Sequence, residues 1–265
     1  MRLRIDLAYD GAEFHGWAAQ PGLRTVEGEV SGALATVLRD PSVNLTCAGR
    51  TDSGVHARGQ VAHCDLDQDP GDLALLTRRL NGVLATDVRI RAVSRAPDGF
   101  DARFAALWRR YAYRVADSVG SLDPLARGHV LAWPRPLDVT ALQAASTPMV
   151  GEHDFAAFCR RREGATTVRT LLDLTWTRQE DGLVVAGVRA DAFCHSMVRS
   201  LVGCLLAVGE GRRPVEWPAQ VLQQRQRDSA VTVAPAHGLV LEEVAYPLPG
   251  ELPARVQETR ARRDG

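Results

Sequence analysis

The sequence predicts an α+β protein of two ferredoxin-like domains, each with the element order β-α-β-β-α-β and a sheet rich in antiparallel strands. Two observations lead to this fold class. Strand-like alternation and helix-like stripes of apolar residues recur in the same order in both halves of the chain, although the halves share no visible sequence similarity. The chain has 265 residues, 45% of them hydrophobic and 24% charged, which suits a globular protein of one large or two ordinary domains.

The first half of the chain supplies one complete unit. Apolar residues alternate from Leu3 to Tyr9, as in a half-buried strand. A helical stripe from Val26 to Val37 follows Thr25, a favourable N-cap residue. The pattern continues with a short strand, a longer strand, a helix after Asp72 and a final strand, over residues 43–48, 60–66, 73–80 and 88–92.

The second half repeats this order. A strand and a helix precede two strands that are joined by Gln179-Glu180-Asp181-Gly182, a hairpin signal. A strongly apolar helix, a further helix after Pro214 and a closing strand complete the unit. These elements are expected over residues 111–115, 137–150, 168–177, 183–190, 193–208, 216–225 and 239–244.

These patterns divide the chain into an N-terminal domain over residues 1–105, a C-terminal domain over 106–248 and an Arg-rich tail over 249–265. The tail has little apolar periodicity, so we expect it to be loosely structured. We expect the two domains to flank a central active-site cleft, since a cleft between domains is a natural place for a substrate.

The composition excludes several classes of protein. No apolar run approaches the roughly 20 residues that a membrane span requires, and the N-terminus has no apolar signal core. We therefore expect a cytoplasmic protein without membrane contact. The five cysteines form no CxxC pair, so we expect buried free thiols in a reducing compartment and no metal site.

The basic residues are all arginine, and 32 of them balance 32 acidic residues. A codon bias toward GC explains the absence of lysine without any functional reason. A zero net charge argues weakly against nucleic-acid binding, but the distribution of charge matters more than its sum. Three clusters are candidates for phosphate contacts, or else are solvated faces: Arg78-Arg79, Arg109-Arg110 and Arg160-Arg161-Arg162.

The segment of residues 48–57 is the strongest candidate for chemistry. Gly49 and Gly54 bracket Asp52, and glycine lets a backbone adopt φ > 0 or approach another molecule closely. Arg50 can hold a phosphate or orient a carboxylate. The segment therefore predicts a rigid loop that presents a carboxylate beside a cation. The alternative is an ordinary β-turn whose aspartate caps its own loop.

Two other segments carry candidate residues. Arg199 lies near the start of the apolar helix on a partly buried face, where a guanidinium needs a carboxylate or phosphate; a structural ion pair is the alternative. Tyr111 and Tyr113 lie among arginines on a strand. An aromatic ring there suits a flipped base, and the alternative, a buried core tyrosine, is preferred for Tyr113.

Three histidines lie in or near these segments. We interpret His56 as a loop-shaping or packing residue and His63 as structural. His195 either contacts RNA or fills space. No serine lies in an elbow motif with a paired histidine, so a hydrolase triad is not indicated.

The sequences of these segments resemble the motifs of one family. Arg50-Thr51-Asp52-Ser53-Gly54-Val55-His56-Ala57 resembles the nucleophile motif of the tRNA pseudouridine synthase A family. The segments at 193–199 and 109–113 resemble those that carry the family's arginine and tyrosine. Further matches, among them Tyr9-Asp10-Gly11 and Gly151-Glu152-His153-Asp154-Phe155, follow in order as far as residue 247.

The resemblance implies an isomerase that converts uridine to pseudouridine at positions 38, 39 and 40 of the tRNA anticodon stem-loop. It implies a homodimer that uses no metal, ATP or redox cofactor. It assigns Asp52 as the nucleophile, Arg199 as the partner of that carboxylate and Tyr111 as a contact of the uracil ring. Tyr111 is also expected to be catalytic, by helping to remove the C5 proton. Further substrate contacts are expected at Arg50, Arg110 and His195.

The residues alone leave alternatives open. A carboxylate with an arginine nearby also suits chemistry at a C–N glycosidic bond, although no second carboxylate at glycosidase spacing is identifiable. One rival is a non-catalytic RNA-binding module, which does not require Asp52. Another is a purely structural Asp52. The sequence does not choose between attack of Asp52 on the sugar and on the base.

Overall fold

The computed structural model of the chain describes residues 1–160 and 166–264, the last three of them by their backbone alone. Arg161 and Arg162, from the predicted arginine cluster, lie outside the described residues. The protein is of the α+β class, and its strands pair mostly antiparallel, as the sequence predicts. It divides into two compact units, one formed by Met1–Leu107 with Leu241–Gly265 and the other by Trp108–Val240.

The first unit begins with the predicted order β-α-β-β-α-β. β1 lies between β3 and β4 and pairs antiparallel with both, while β2 pairs antiparallel with β3. The elements are β1 (Arg2–Tyr9), α1 (Val26–Leu38), β2 (Thr46–Cys47), β3 (His56–Asp65), α2 (Leu73–Val83) and β4 (Val88–Arg95).

Local sequence explains why these elements form. Leu3, Ile5 and Leu7 are fully buried on one face of β1 and alternate with half-buried residues, as a strand with one face on the core requires. The Thr25 hydroxyl accepts an amide of the first turn of α1, and the Asp72 carboxylate accepts two amides of the first turn of α2. The N-cap predicted at Thr25 is therefore confirmed, and Asp72 caps α2 in the same way.

The loop that carries Asp52 is bounded differently from the prediction. The expected strand over 43–48 is reduced to Thr46–Cys47, and β3 begins at His56 rather than Gln60. The pairing of β3 with β1 extends as far as the pair Tyr9 and Ala57, which brings His56 into the sheet. The loop is consequently held by strand pairing on both sides of the carboxylate.

The second unit contains a sheet in the order β5-β9-β8-β7 with antiparallel neighbours, and β6 pairs parallel with β5. Its apolar helix, α4, is buried at almost every position. The elements are β5 (Trp108–Ala116), β6 (Leu131–Ala132), α3 (Val139–Ser146), β7 (Gly151–Asp154), β8 (Val168–Arg178), β9 (Val184–Ala190), α4 (Met197–Gly209) and α5 (Trp217–Gln224).

The helices α3, α4 and α5 are shorter than predicted, α5 by one residue at each end and the other two by more. α4 starts at Met197 instead of Phe193, because Ser196 has a φ of 61° and a left-handed residue cannot continue a helix toward the N-terminus. α3 ends at Ser146, and the chain then forms a 3-10 turn at Thr147–Met149 that includes Pro148. Proline lacks the amide that an α-helix would need there.

The C-terminal segment differs from the expected loose tail over residues 249–265. Most of the tail forms α6 (Leu252–Asp264). It follows β10 (Leu239–Ala245), within which the chain passes from the second unit to the first. Residues beyond 240 belong to the first unit rather than to an expected domain ending at 248. The reason is a pair of long-range bonds: the Leu107 amide donates to the Ala245 carbonyl at 2.8 Å, and the Tyr246 hydroxyl donates to the Ala102 carbonyl at 2.7 Å.

The helix α6 lacks an apolar stripe because its contacts are made largely by arginines. Leu252 is buried at its start. The Arg255 guanidinium donates to the Ala106 carbonyl at 3.3 Å, and the Arg260 guanidinium lies 5.1 Å from the centre of the Phe104 ring. Cation–π and side-chain-to-backbone contacts of this kind leave no periodic pattern of apolar residues in the sequence.

The prediction that all cysteines are free thiols is wrong for two of them. Cys159 and Cys194 form a disulfide, with their Cα atoms 5.7 Å apart. Cys47, Cys64 and Cys204 are buried free thiols, as expected. Burial raises the pKa of Cys47 and Cys204 to about 12 and that of Cys64 to about 11, so these thiols stay protonated at neutral pH.

We expect the double variant Cys159→Ser/Cys194→Ser to unfold more easily than the wild type. The disulfide closes a loop with a sequence separation of 35, and loss of such a cross-link lowers the free energy of unfolding by about 2–4 kcal/mol. Urea unfolding of both proteins without reductant measures the difference. Cys64→Ser serves as a control for thiol chemistry, and equal stability of wild type and double variant under these conditions would contradict the disulfide.

An ion pair anchors the entry to α3 and gives a pH-dependent contribution to stability. The buried Asp117 carboxylate accepts hydrogen bonds from both Arg178 Nη atoms, at 2.7 and 2.8 Å, and from the Leu137 amide at 2.8 Å. The hydrogen bond from Arg178 is the main cause that holds the pKa of Asp117 below its ordinary value, and the Leu137 amide adds to it. The folded state thus favours the charged carboxylate.

We expect Asp117→Asn to lower the free energy of unfolding by about 1–3 kcal/mol at neutral pH, since the charge-assisted bonds are weakened. A lowered folded-state pKa contributes stability above the unfolded value of about 3.9, and this contribution is lost as the pH falls through the folded-state pKa. The difference in the free energy of unfolding between wild type and variant should therefore be constant above about pH 5 and shrink below about pH 4. Urea unfolding at several pH values measures it, and a difference that grows toward acid pH would contradict the assignment.

Candidate active site

The Asp52 loop is held by the chain segment that follows β1. We call residues 10–17 the clamp segment. Its Trp17 amide donates to the Thr51 carbonyl at 3.0 Å, and its Phe14 carbonyl accepts the Gly54 amide at 3.2 Å. These bonds fix the backbone on both sides of Asp52, whose side chain is half-buried.

The residue types of the clamp segment follow from this close approach. Gly16 has a φ of +93°, and a Cβ at this position would lie 2.9 Å from the Thr51 carbonyl oxygen. At Gly11, a Cβ would overlap the Val55 carbonyl. Phe14 and Trp17 are buried and anchor the segment in the core. Glycine and large aromatics are thus both required for the two backbones to run side by side.

Two side chains, Tyr9 on β1 and Gln60 on β3, hold the loop from the sheet, and neither was predicted as a site residue. The Tyr9 hydroxyl lies 2.8 Å from the Thr51 hydroxyl. Gln60, fully buried on β3, donates to the Gly49 carbonyl at 2.8 Å and to the Tyr9 hydroxyl at 3.2 Å. A glutamine buried within a strand is the signal that could have found this contact, because such a group needs partners.

The second unit brings Arg199 against the segment before β10. Arg199 is half-buried in the first turn of α4, and its Nε donates to the Ala234 carbonyl at 2.8 Å. The Ala234 amide donates back to the Arg199 carbonyl at 3.0 Å. Gly203, one turn later, leaves room for the carbonyl of Thr232. This contact fixes the plane of the guanidinium.

Tyr111 lies on β5 with 7% of its surface exposed. The ring of Phe193 packs edge-on against the Tyr111 ring, with the two ring centres 5.1 Å apart. Tyr113 is fully buried, its hydroxyl donates to the Pro235 carbonyl at 2.8 Å, and burial raises its pKa. The interpretation of Tyr113 as a core residue is confirmed. The contact between the rings of Phe193 and Tyr111 was not predicted from the sequence.

The expected substrate contacts differ in exposure. Arg50, Arg110 and His195 are exposed. Arg109, in contrast, is buried and donates to the Asp191 carbonyl at 2.7 Å, so only one member of the Arg109-Arg110 cluster faces solvent. The structure thus places Asp52 and Arg50 in the first unit, and Tyr111, Arg110, His195 and Arg199 in the second.

The described residues contain no group of three or more His, Cys, Asp or Glu side chains that could hold a metal ion. Each helix within the described ranges is too short or too polar to cross a bilayer.

Comparisons with known proteins define the class. The family model described as tRNA pseudouridine synthase matches residues 145–247. A protein of Frankia casuarinae named tRNA pseudouridine synthase A is 65% identical over 98% of this chain and 95% of its own length. Relatives of the same name from Streptomyces griseus and Mycobacterium leprae are 57% and 49% identical, each over 98% of this chain and over 93% and 94% of their own lengths.

These matches place the chain among the pseudouridine synthases, which are isomerases. Within that class, it belongs to the tRNA pseudouridine synthase A family.

We expect Gln60→Leu to lower the free energy of unfolding by about 1–3 kcal/mol, because the Gly49 carbonyl and the Tyr9 hydroxyl both lose a buried donor. Thermal or urea unfolding measures this loss. The matched control is Gln68→Leu at an exposed position, which should change stability by no more than about 0.5 kcal/mol. Equal effects of the two changes would show that Gln60 does not support the loop.

Proposed function

We propose that the protein isomerises uridine to pseudouridine at positions 38, 39 and 40 of the tRNA anticodon stem-loop, with Asp52 as the nucleophile. The observation that carries the proposal is the rigid Asp52 loop, whose backbone is bonded to the clamp segment on both sides of the carboxylate. The name shared by the relatives, tRNA pseudouridine synthase A, supports tRNA as the substrate. The motif at residues 50–57 resembles the family's nucleophile motif, which supports the role of Asp52.

The reaction breaks the C–N bond between the ribose C1′ and uracil N1 and forms a C–C bond between C1′ and C5 of the same base. The C5 proton is released and N1 regains a proton, so the product is an isomer and no oxidant or reductant is needed. Asp52 attacks either the sugar or the base, and release of the carboxylate restores the enzyme. The target uridine leaves its stack to reach the site.

The remaining candidate residues have complementary roles. Arg199, oriented through its bond to the Ala234 carbonyl, stabilises the charged carboxylate. Tyr111, braced by the edge of Phe193, contacts the uracil ring. Exposed side chains suit contacts with the RNA backbone or the base, and these are Arg50, Arg110 and His195.

The working form of the enzyme is proposed to be a cytoplasmic homodimer that needs no metal, ATP or redox cofactor. A symmetric dimer is the commonest oligomer of soluble proteins. The isomerisation balances in atoms and electrons without an added reactant, which supports the absence of a cofactor from the reaction.

The rival function is a non-catalytic RNA-binding module. Such a protein would use the exposed arginines and aromatic rings but would not require the carboxylate of Asp52. A single isosteric substitution at this position separates the two functions.

We expect Asp52→Asn to abolish tritium release from tRNA that carries [5-³H]uridine, with a loss of about 10³-fold or more, because an amide does not act as the nucleophile. Binding of the tRNA, measured by filter retention, should stay within about twofold, since the side chain keeps its shape. The matched control, exposed Asp123→Asn, should release tritium like the wild type. Release by Asp52→Asn at the wild-type rate would contradict the nucleophile, and no release by wild type would favour the RNA-binding module.

A further inference from the structure

His56 is the first residue of β3, four positions after Asp52, and only 5% of its surface is exposed. Its Nδ1 lies 2.9 Å from the Gly11 amide nitrogen in the clamp segment. The same atom lies 2.9 Å from Oδ1 of Asp10, whose side chain is largely exposed. The imidazole therefore joins the clamp segment to the end of the Asp52 loop.

The donors and acceptors determine which form of the imidazole makes this contact. An amide N–H only donates, so Nδ1 must offer a lone pair to Gly11, and the proton of the neutral ring then lies on Nε2. A contact in which Nδ1 donates to Asp10 would require a proton on Nδ1 and would break the bond to Gly11. The two contacts exclude each other at this atom. The Gly11 amide is buried and needs an acceptor within the protein, whereas the exposed Asp10 carboxylate can be hydrated, so the bond to Gly11 is the one assigned.

The other side of the ring makes no polar contact within the described residues. Nε2 is buried and meets no hydrogen-bond partner among the described residues. Rotating the ring by 180° about the Cβ–Cγ bond would put Cδ2 in the place of Nδ1 and leave the Gly11 amide without its acceptor. The Gly11 backbone lies so close to the Val55 carbonyl that a Cβ on Gly11 would overlap it.

The position of this bond explains what it controls. The clamp segment is bonded to Thr51 before Asp52 and to Gly54 after it, and the His56 bond closes the end of the segment at which β1 leaves the sheet. Without the acceptor, Gly11 separates from the loop and the backbone between these bonds gains freedom. A displacement of about 1 Å at a reacting group can cost about 10²-fold in rate.

We propose that His56 is a positioning residue, which as the neutral Nε2–H tautomer accepts the Gly11 amide and so holds the Asp52 loop in the geometry for attack. This inference rests on the proposed function of Asp52. It predicts that the acceptor at the place of Nδ1, rather than the ring itself, is what turnover requires.

The chain offers a matched control on the same strand. His63 is also 5% exposed, and its Nδ1 accepts the amide of Ala102 at 3.0 Å, away from the Asp52 loop. Burial, with a contribution from Arg2, lowers the pKa of His63, which favours the neutral accepting form. His63 makes the same type of bond without touching the clamp segment.

The test compares His56→Asn with His56→Gln in steady-state tritium release. The asparagine Oδ1 lies near the place of Nδ1 and can accept the Gly11 amide, whereas the glutamine amide reaches toward the place of Nε2. We expect kcat to fall about 10- to 100-fold in the Gln variant with KM for tRNA unchanged, and to stay within about threefold of wild type in the Asn variant. His63→Gln should lower the melting temperature and leave kcat unchanged.

Wild-type kcat in a folded His56→Gln variant, or equal losses of kcat in the Asn and Gln variants, would overturn the inference. So would a nitrogen-15 spectrum that shows His56 as the Nδ1–H tautomer at neutral pH. If Asp52→Asn is inactive while His56→Gln turns over normally, the positioning role fails and the proposed function stands. If Asp52→Asn turns over normally, the proposed function fails, and the role of His56 fails with it.

Discussion

The pairing of two backbone segments, the clamp segment and the Asp52 loop, is the constraint on which the first unit depends. Each segment supplies carbonyl and amide groups that would otherwise be buried without partners, and each satisfies the other. The approach is so close that Gly11 and Gly16 have no room for a side chain. Buried Phe14 and Trp17 then fix the clamp segment to the core. The result is a carboxylate held by backbone bonds rather than by a flexible loop.

The second unit applies the same physical principle to a guanidinium. Arg199 and Ala234 exchange two hydrogen bonds, and Gly203 admits the neighbouring carbonyl of Thr232. Tyr111 is fixed by the edge of Phe193. In both units the candidate side chains are supported by groups whose own positions are determined by packing. Preorganisation of this kind reduces the reorganisation needed when charge develops in a transition state.

Several features were predictable because they depend on near neighbours in the chain. The strand β1, the capped helices α1 and α2 and the hairpin between β8 and β9 follow from alternation, helical spacing and turn residues. Where a boundary depends on a distant partner, the sequence prediction was wrong. β3 starts before Gln60 because its pairing with β1 continues to Ala57. The late start of α4 has a local cause, the left-handed backbone of Ser196, which the apolar pattern of that segment does not signal. The helix α6 was expected to be a loose tail because its arginine contacts have no periodic signature.

The sequence by itself determined the fold class, the order of elements in the first unit and the motif that contains Asp52. The tertiary structure decided which groups support that motif. The Gly11 amide and His56 are 45 residues apart, and Cys159 and Cys194 are 35 apart. Nothing in local spacing links either pair. The physical reason is that hydrogen bonds and disulfides depend on distances of a few ångströms in space, which only the folded chain establishes.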